Sequence, residues 1–376
     1  MSKEFIPVFD SFYNSNEEKY LIDVIRSGRV SSQGDYVYKF EEAFSNYNDT
    51  NFGISVANGT VALETAYFAI GLSEEDEIIM PSFTIISCAI GVIRLGAVPV
   101  FVDVDPFTWC INANLIEQKI TKKTKAILAV HMYGHPCDMD QIMSIAKKYN
   151  LVVIEDASQV HGGEYKGLKC GSIGHISTFS FYANKIISTG EGGMIITMNE
   201  TYAKRCRDYR NLCFIPEKRF FHNEIGNNYR LGALQAAVGL AQLEKIEQHI
   251  EIKIKNGLLY KKYLSDIIGL QLQTELPYAK MVYWMYCVVL PDEYINKNIS
   301  EILLTEYQIE TRPFFIGLHE QPAIIKYLKN HNISDNEKYP VTDLISKRGF
   351  YLPSGFNLLE DEIKYICNSL KNILTT

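Results

Sequence analysis

Residues 151–193 read LVVIEDASQVHGGEYKGLKCGSIGHISTFSFYANKIISTGEGG, and their pattern decides the fold. Residues 151–154 are a short, wholly apolar run of the kind shown by a strand buried on both faces. The run carries Glu155 and Asp156 at its carboxyl end, where open α/β sheets bind their ligands. Residues 177–182 form a second apolar and aromatic run, with Lys185 just past it. Gly190, Gly192 and Gly193 then lead into a third run, 194–197. A carboxylate at one strand end and a lysine beyond another can face each other across a pocket. Pyridoxal 5'-phosphate needs that pair: an amine to form a Schiff base, and an acid to keep the ring nitrogen protonated. Taken singly, an Asp at a strand end is equally a helix cap, and a lone lysine equally a surface charge.

Upstream, residues 53–57, 77–80, 98–102 and 126–130 read as strands, alternating with helices at 60–70, 86–95, 115–120 and 139–149. This alternation, with short connections, predicts a mostly parallel seven-stranded sheet with helices on both faces. Two helical patterns precede it, 17–27 and 36–47. They flank a polar turn, 28–34, whose Arg29 and Ser31 are either anion contacts or part of a plain connector. Downstream come a helix at 202–211, an irregular stretch at 213–228 and a long helical segment at 233–262. Strands at 282–290 and 311–315 and helices at 299–307 and 360–373 then follow. The expected division is a large α/β domain with an N-terminal arm, residues 1–250, and a smaller α+β domain, residues 251–376. No Pro/Gly linker marks the boundary.

Bulk properties narrow the function class. The 376 residues suffice for one large domain and a smaller one. Net charge is −7 with no basic block, which argues against nucleic acid and anionic membrane as partners. Residues 1–10 lack a signal-peptide core, and no apolar run approaches the roughly 20 residues of a membrane span. A cytoplasmic protein is expected. Its eight cysteines, at 88, 110, 137, 170, 206, 213, 287 and 367, show no metal spacing and read as reduced thiols. His131, His135 and His161 likewise form no pair at metal spacing, so no metal is expected.

Asn58-Gly59-Thr60 stands at a strand-to-helix turn. It is either a phosphate cradle, built from free N–H groups and a close glycine backbone, or a simple helix cap at Thr60. Ser180, five residues before Lys185, is within reach of such a phosphate, and Gln159 of the ring hydroxyl. Lys185, once released from the cofactor, is placed to move the proton.

At these residues the chain resembles the PLP-dependent sugar aminotransferases of the DegT/DnrJ/EryC1/StrS family, especially its GDP-perosamine synthase branch. The likeness runs nearly end to end. It covers SGRVSSQGDYVYKFE, VANGTVALETA, MPSFTIISCAIGVIRLGAVPVFVDVD, VVIEDASQVHG, SFYANK…GEGG, GNNYRLGALQAAVGLAQLE and ETRPFFIGLHEQP. The resemblance implies fold type I and a homodimer with shared active sites. It also implies Lys185 as Schiff-base lysine, Asp156 on the ring nitrogen and Gln159 on the ring hydroxyl. Gly59, Thr60 and Ser180 match its phosphate contacts, with Asn58 beside them counted among the cofactor-binding residues, and Asn228 reaches the phosphate from the partner subunit. One position departs: Ile85 stands where the family commonly stacks an aromatic on the cofactor ring. Whether Phe83 or His161 replaces it stays open. Some relatives carry His at the lysine position and dehydrate; lysine here favours transamination.

The function expected is transfer of the amino group of L-glutamate to the ketone of a nucleotide-linked sugar. A GDP-4-keto-6-deoxyhexose type, for capsule or O-antigen polysaccharide, is the first choice. Arg29, Ser31, His161, Arg312 and His319 are the substrate candidates. The alternatives are the same chemistry on a small phosphorylated ketone such as dihydroxyacetone phosphate, and a non-catalytic regulator of the same fold.

Overall fold

The computed structural model describes residues 5–375 except 216, 219, 335 and 336. Apolar runs too short to make helices form the central sheet. Its strands are β1 (Phe52–Val56), β2 (Glu77–Pro81), β3 (Val98–Val102), β4 (Thr124–Val130), β5 (Val152–Asp156), β8 (Ile176–Ser180) and β9 (Gly193–Thr197). A separate small sheet joins β6 (Glu164–Tyr165) and β7 (Leu168–Lys169) to β11 (Ala279–Lys280). The central order is β1-β9-β8-β5-β4-β2-β3. Pairings from β8 to β3 are parallel, whereas β9 runs antiparallel to both β8 and β1. Ile54, Ile79, Leu128, Ile154, Phe179 and Ile195 are fully buried, as expected for strands covered on both faces.

Helices α1 (Glu17–Ser27) and α2 (Asp35–Tyr47) pack against α7 (Ala233–Leu243). Helix α3 (Gly59–Ala69) packs against α4 (Ser87–Arg94) and α6 (Glu200–Tyr209), and α5 (Met139–Tyr149) lies on β4 and β5. The segment expected as one helix over 233–262 is two, α7 and α8 (Ile246–Leu264). Glu and Lys at the break are good helix formers, so tertiary contacts override propensity. Glu244 accepts hydrogen bonds from Asn16 (2.7 Å) and from Tyr20 of α1 (2.5 Å). The helix expected over 115–120 is two single 3₁₀ turns, Ala113–Leu115 and Glu117–Lys119, too short to propagate as α-helix.

Beyond α8 a second sheet of order β10-β12-β14-β13 is wholly antiparallel. It comprises β10 (Gln271–Leu272), β12 (Tyr286–Val289), β13 (Arg312–Pro313) and β14 (Gly349–Leu352). The strand expected over 282–290 is therefore shorter, and residues 282–285 form an irregular approach to it. Helices α9 (Asn296–Tyr307), α10 (Pro322–Asn330), α11 (Pro340–Arg348) and α12 (Glu360–Thr375) complete this part. Its core is separate: Tyr260, Leu264, Val288, Leu303, Phe350 and Ile366 cluster together, joined by Ile6. The N-terminal arm runs along this second sheet, with Ile6 N–H donating to the Gln308 carbonyl (2.9 Å) and Ser354 N–H to that of Val8 (2.8 Å). Residues 1–4 of that arm lie outside the described residues. Among the described residues no helix is long and apolar enough to cross a membrane. All eight cysteines are free and buried.

Strand alternation separates Glu155 from Asp156. Glu155 is fully buried and accepts from the N–H groups of Gly171 (2.8 Å), Ile173 (2.9 Å) and Gly174 (2.5 Å). His131 Nδ1 accepts from Cys137 N–H (3.0 Å), so its Nε2 carries the proton facing Glu155 (3.0 Å). Burial alone would raise the Glu155 pKa, but His131 and these donors outweigh it and hold the carboxyl below its usual range.

Candidate active site

A cleft of about 690 Å³ opens at the carboxyl ends of β1, β5 and β8. Asp156, the last residue of β5, lies in its floor and is almost fully buried. Its Oδ1 accepts from Ser158 N–H (3.1 Å), and the Cys88 thiol of α4 donates to its Oδ2 (3.5 Å). These contacts orient the carboxylate.

Lys185 reaches the same cleft because of the strand directions. Ser180 of β8 pairs with Gly193 of antiparallel β9, so the connecting residues 181–192 turn back at the same sheet edge. A parallel neighbour would need a crossover to the opposite edge. Lys185 N–H bonds to the Tyr182 carbonyl (2.9 Å), and its Nζ stands 3.8 Å from the centre of the Trp284 ring. Burial lowers the amine to about 8, with Asp156 pulling the other way.

The turn after β1 supplies the third component. Helix α3 is capped by Asn58, not Thr60: Asn58 Oδ1 accepts from Val61 N–H (3.0 Å). The N–H groups of Gly59 and Thr60 are left without intrahelical acceptors. A Cβ on Gly59 would stand 2.7 Å from Ser180 Cβ, so glycine is what keeps this cradle open beside the serine. Thr60 Oγ1 contacts Ser87 Oγ (2.9 Å). Gln159 Oε1 accepts from Tyr133 N–H (2.8 Å), leaving its amide N–H groups as the donors. Ile85 lies at the rim, 42% exposed. The far wall is aromatic, formed by Trp284, Phe315 and Tyr351 with Tyr182. The open cradle, the free helix N–H groups, the buried carboxylate and the amine with a lowered pKa together fit pyridoxal phosphate.

The remaining expected residues stand elsewhere in the chain. Asn228 is exposed and bridges to Asn211. Arg29 is exposed and ion-pairs with Asp35 (3.1 Å). Ser31 lines a second pocket of about 690 Å³ with Arg207, Arg210 and Arg230. Arg312 pairs with Glu310 (2.6 Å) on the outside of β13. His319 is held between Ser82 Oγ (2.7 Å) and Asp343 (3.0 Å). His161 is buried behind the cleft beside Phe179 and Phe181, its two ring nitrogens without hydrogen-bond partners. Burial first, then Lys185, lowers it to about 3. Phe83 is fully buried and packs on Phe314 rather than lining the cleft. Sequence reasoning passed over Trp284, Phe315, Tyr351 and Cys88, because nothing local in the sequence ties residues so distant to position 185.

The profile described as the DegT/DnrJ/EryC1/StrS aminotransferase family matches residues 13–371. The chain is 39% identical to a GDP-perosamine synthase of Escherichia coli O157:H7, covering 98% of each sequence. It is 34% identical to a GDP-perosamine synthase of Vibrio cholerae, again over 98% of each. Among solved structures it resembles S. venezuelae DesV, with a TM-score of 0.88 at 27% identity over 96% of this chain and 95% of that one.

Proposed function

Because the chain belongs to the DegT/DnrJ/EryC1/StrS aminotransferase family and is a pyridoxal-phosphate-dependent aminotransferase, we propose that it moves the amino group of L-glutamate onto a nucleotide-linked keto-deoxy sugar. A GDP-4-keto-6-deoxyhexose is the acceptor class favoured by the similarity to two GDP-perosamine synthases, and the aminated sugar enters a surface polysaccharide. The convergence of Lys185, Asp156 and the start of α3 on one cleft carries this reading.

The bound cofactor supplies an electron-withdrawing ring that acidifies the carbon next to the transferred nitrogen. Lys185 holds it covalently, and an amine near 8 takes and returns a proton readily at physiological pH. Asp156, fixed by Ser158 and Cys88, keeps a proton on the ring nitrogen. The Gly59 and Thr60 N–H groups, with the Thr60 and Ser180 hydroxyls, take the phosphate. Gln159 donates to the ring hydroxyl and Ile85 packs on the ring. Asn228 completes the phosphate site of a partner subunit in a homodimer, and Arg29, Ser31, His161, Arg312 and His319 stay the candidates for substrate contact.

Purified protein with pyridoxal phosphate and L-glutamate should release 2-oxoglutarate when a GDP-4-keto-6-deoxyhexose is added. Turnover of dihydroxyacetone phosphate alone would move the acceptor to small phosphoketones. Turnover of neither would exclude both acceptors.

A further inference from the structure

We propose that Trp284 is a positioning residue for Lys185: its indole face holds the amine, and its N–H fastens the loop that carries the lysine. This rests on the reading of Lys185 given above. Trp284 is 4% exposed and comes from the approach to β12, far from Lys185 in sequence. Its ring centre lies 3.8 Å from Lys185 Nζ, well inside the roughly 6 Å range of a cation–π contact. Its Nε1–H donates to the carbonyl of Asn184, the residue before Lys185 (2.7 Å). From behind, the buried amine of Lys253 donates to the Trp284 carbonyl (3.2 Å) and to that of Ser354. The ring also lies nearly parallel to Tyr133 (12°, centres 6.1 Å apart). The indole is therefore held at its edge, its backbone and its side, with the Lys185 amine against its π system.

Among the described residues, Asp156 of β5, Cys88 of α4 and His161 act electrostatically on Lys185 or feel it, and Arg94, Tyr182, Glu191 and Tyr351 line the same cleft. Asp156 and the indole face both favour the ammonium form, against burial. The free amine of Lys185 thus has a defined resting place against the indole rather than swinging into solvent.

The test uses the cofactor-free full chain. Lys185 acetylation by acetic anhydride is followed by mass spectrometry from pH 6 to 10 in wild type, Trp284→Phe and Trp284→Leu. Wild type should titrate near 8. The midpoint should fall by roughly one pH unit in Trp284→Leu and by less in Trp284→Phe, whose ring retains a weaker quadrupole. An unchanged or raised midpoint in Trp284→Leu overturns the proposal. If that variant fails to fold, an unshifted midpoint in Trp284→Phe overturns it alone. Borohydride fixation of pyridoxal phosphate on wild-type Lys185, run in parallel, tests the underlying assignment separately. Its failure sinks the role of Lys185 without touching the contact between Lys185 and Trp284.

Discussion

Glu155 and Asp156 are consecutive in the chain yet serve opposite faces of the central sheet, one tying together the 171–174 loop and His131, the other facing the cleft. Substitutions at the two should therefore separate stability from chemistry. Glu155→Gln loses the charge that anchors His131 and three backbone donors. It should cost about 1–3 kcal/mol of stability, as leaving buried backbone N–H groups without an acceptor does. Asp156→Asn should melt close to wild type but lose activity by roughly 10²–10⁴-fold, the range for removing a positioned acid–base group. Thermal melts and steady-state rates on both variants decide it. Equal destabilisation would refute the separation.

Lys185→Ala should abolish turnover. The wild-type protein, reduced with borohydride after incubation with pyridoxal phosphate, should gain the cofactor's mass on the tryptic peptide containing residue 185. The variant should gain none there.

Gly59→Ala would drive a methyl to 2.7 Å from Ser180 Cβ. The helix start should shift to relieve the contact and narrow the cradle. The dissociation constant for pyridoxal phosphate should rise about tenfold or more, equivalent to about 1.4 kcal/mol. Equilibrium dialysis measures it, and unchanged affinity would place the phosphate elsewhere.

Burial pushes the Lys253 ammonium down to about 7. An unfolded lysine titrates at about 10.4. Between these values the unfolded chain binds more protons than the folded one, so stability rises with pH across that window. Lys253→Met removes this dependence. The stability of wild type relative to the variant should grow from pH 7 to pH 9.5, by up to about 3 kcal/mol at about 1.4 kcal/mol per unit. Urea unfolding at both pH values reads it, and a flat difference would mean that the amine is charged alike in both states.

If the active sites are shared, exchange between inactive Lys185→Ala and Asn228→Asp dimers should regenerate activity. Half of a random mixture is mixed dimers, each with one intact site, giving roughly a quarter of wild-type activity. No recovery after confirmed exchange would confine each site to one chain.

The central sheet is legible in the sequence because each strand is an apolar run bounded by turn residues, and the lysine and carboxylate stand at their ends. The direction of β9 is not: it depends on where residues 181–192 turn, and the same apolar pattern serves either direction. The break at Glu244–Lys245 is likewise hidden, since local propensity continues the helix and only the contacts to Asn16 and Tyr20 reveal why it stops. Helices α10 and α11 carried a usable signal, a proline in the first turn of each, at Pro322 and Pro340. The aromatic wall was out of reach, because Trp284, Phe315 and Tyr351 meet Lys185 only through the packing of the second sheet on the first.

That wall also sets an order for biosynthesis. Every strand of the central sheet, with Asp156 and Lys185, has left the ribosome before Trp284, Phe315 and Tyr351 are translated. A nascent chain that captured the cofactor early would hold it in an open trough, its lysine bathed in water. The enzyme becomes competent only when its last third has folded down over the first two.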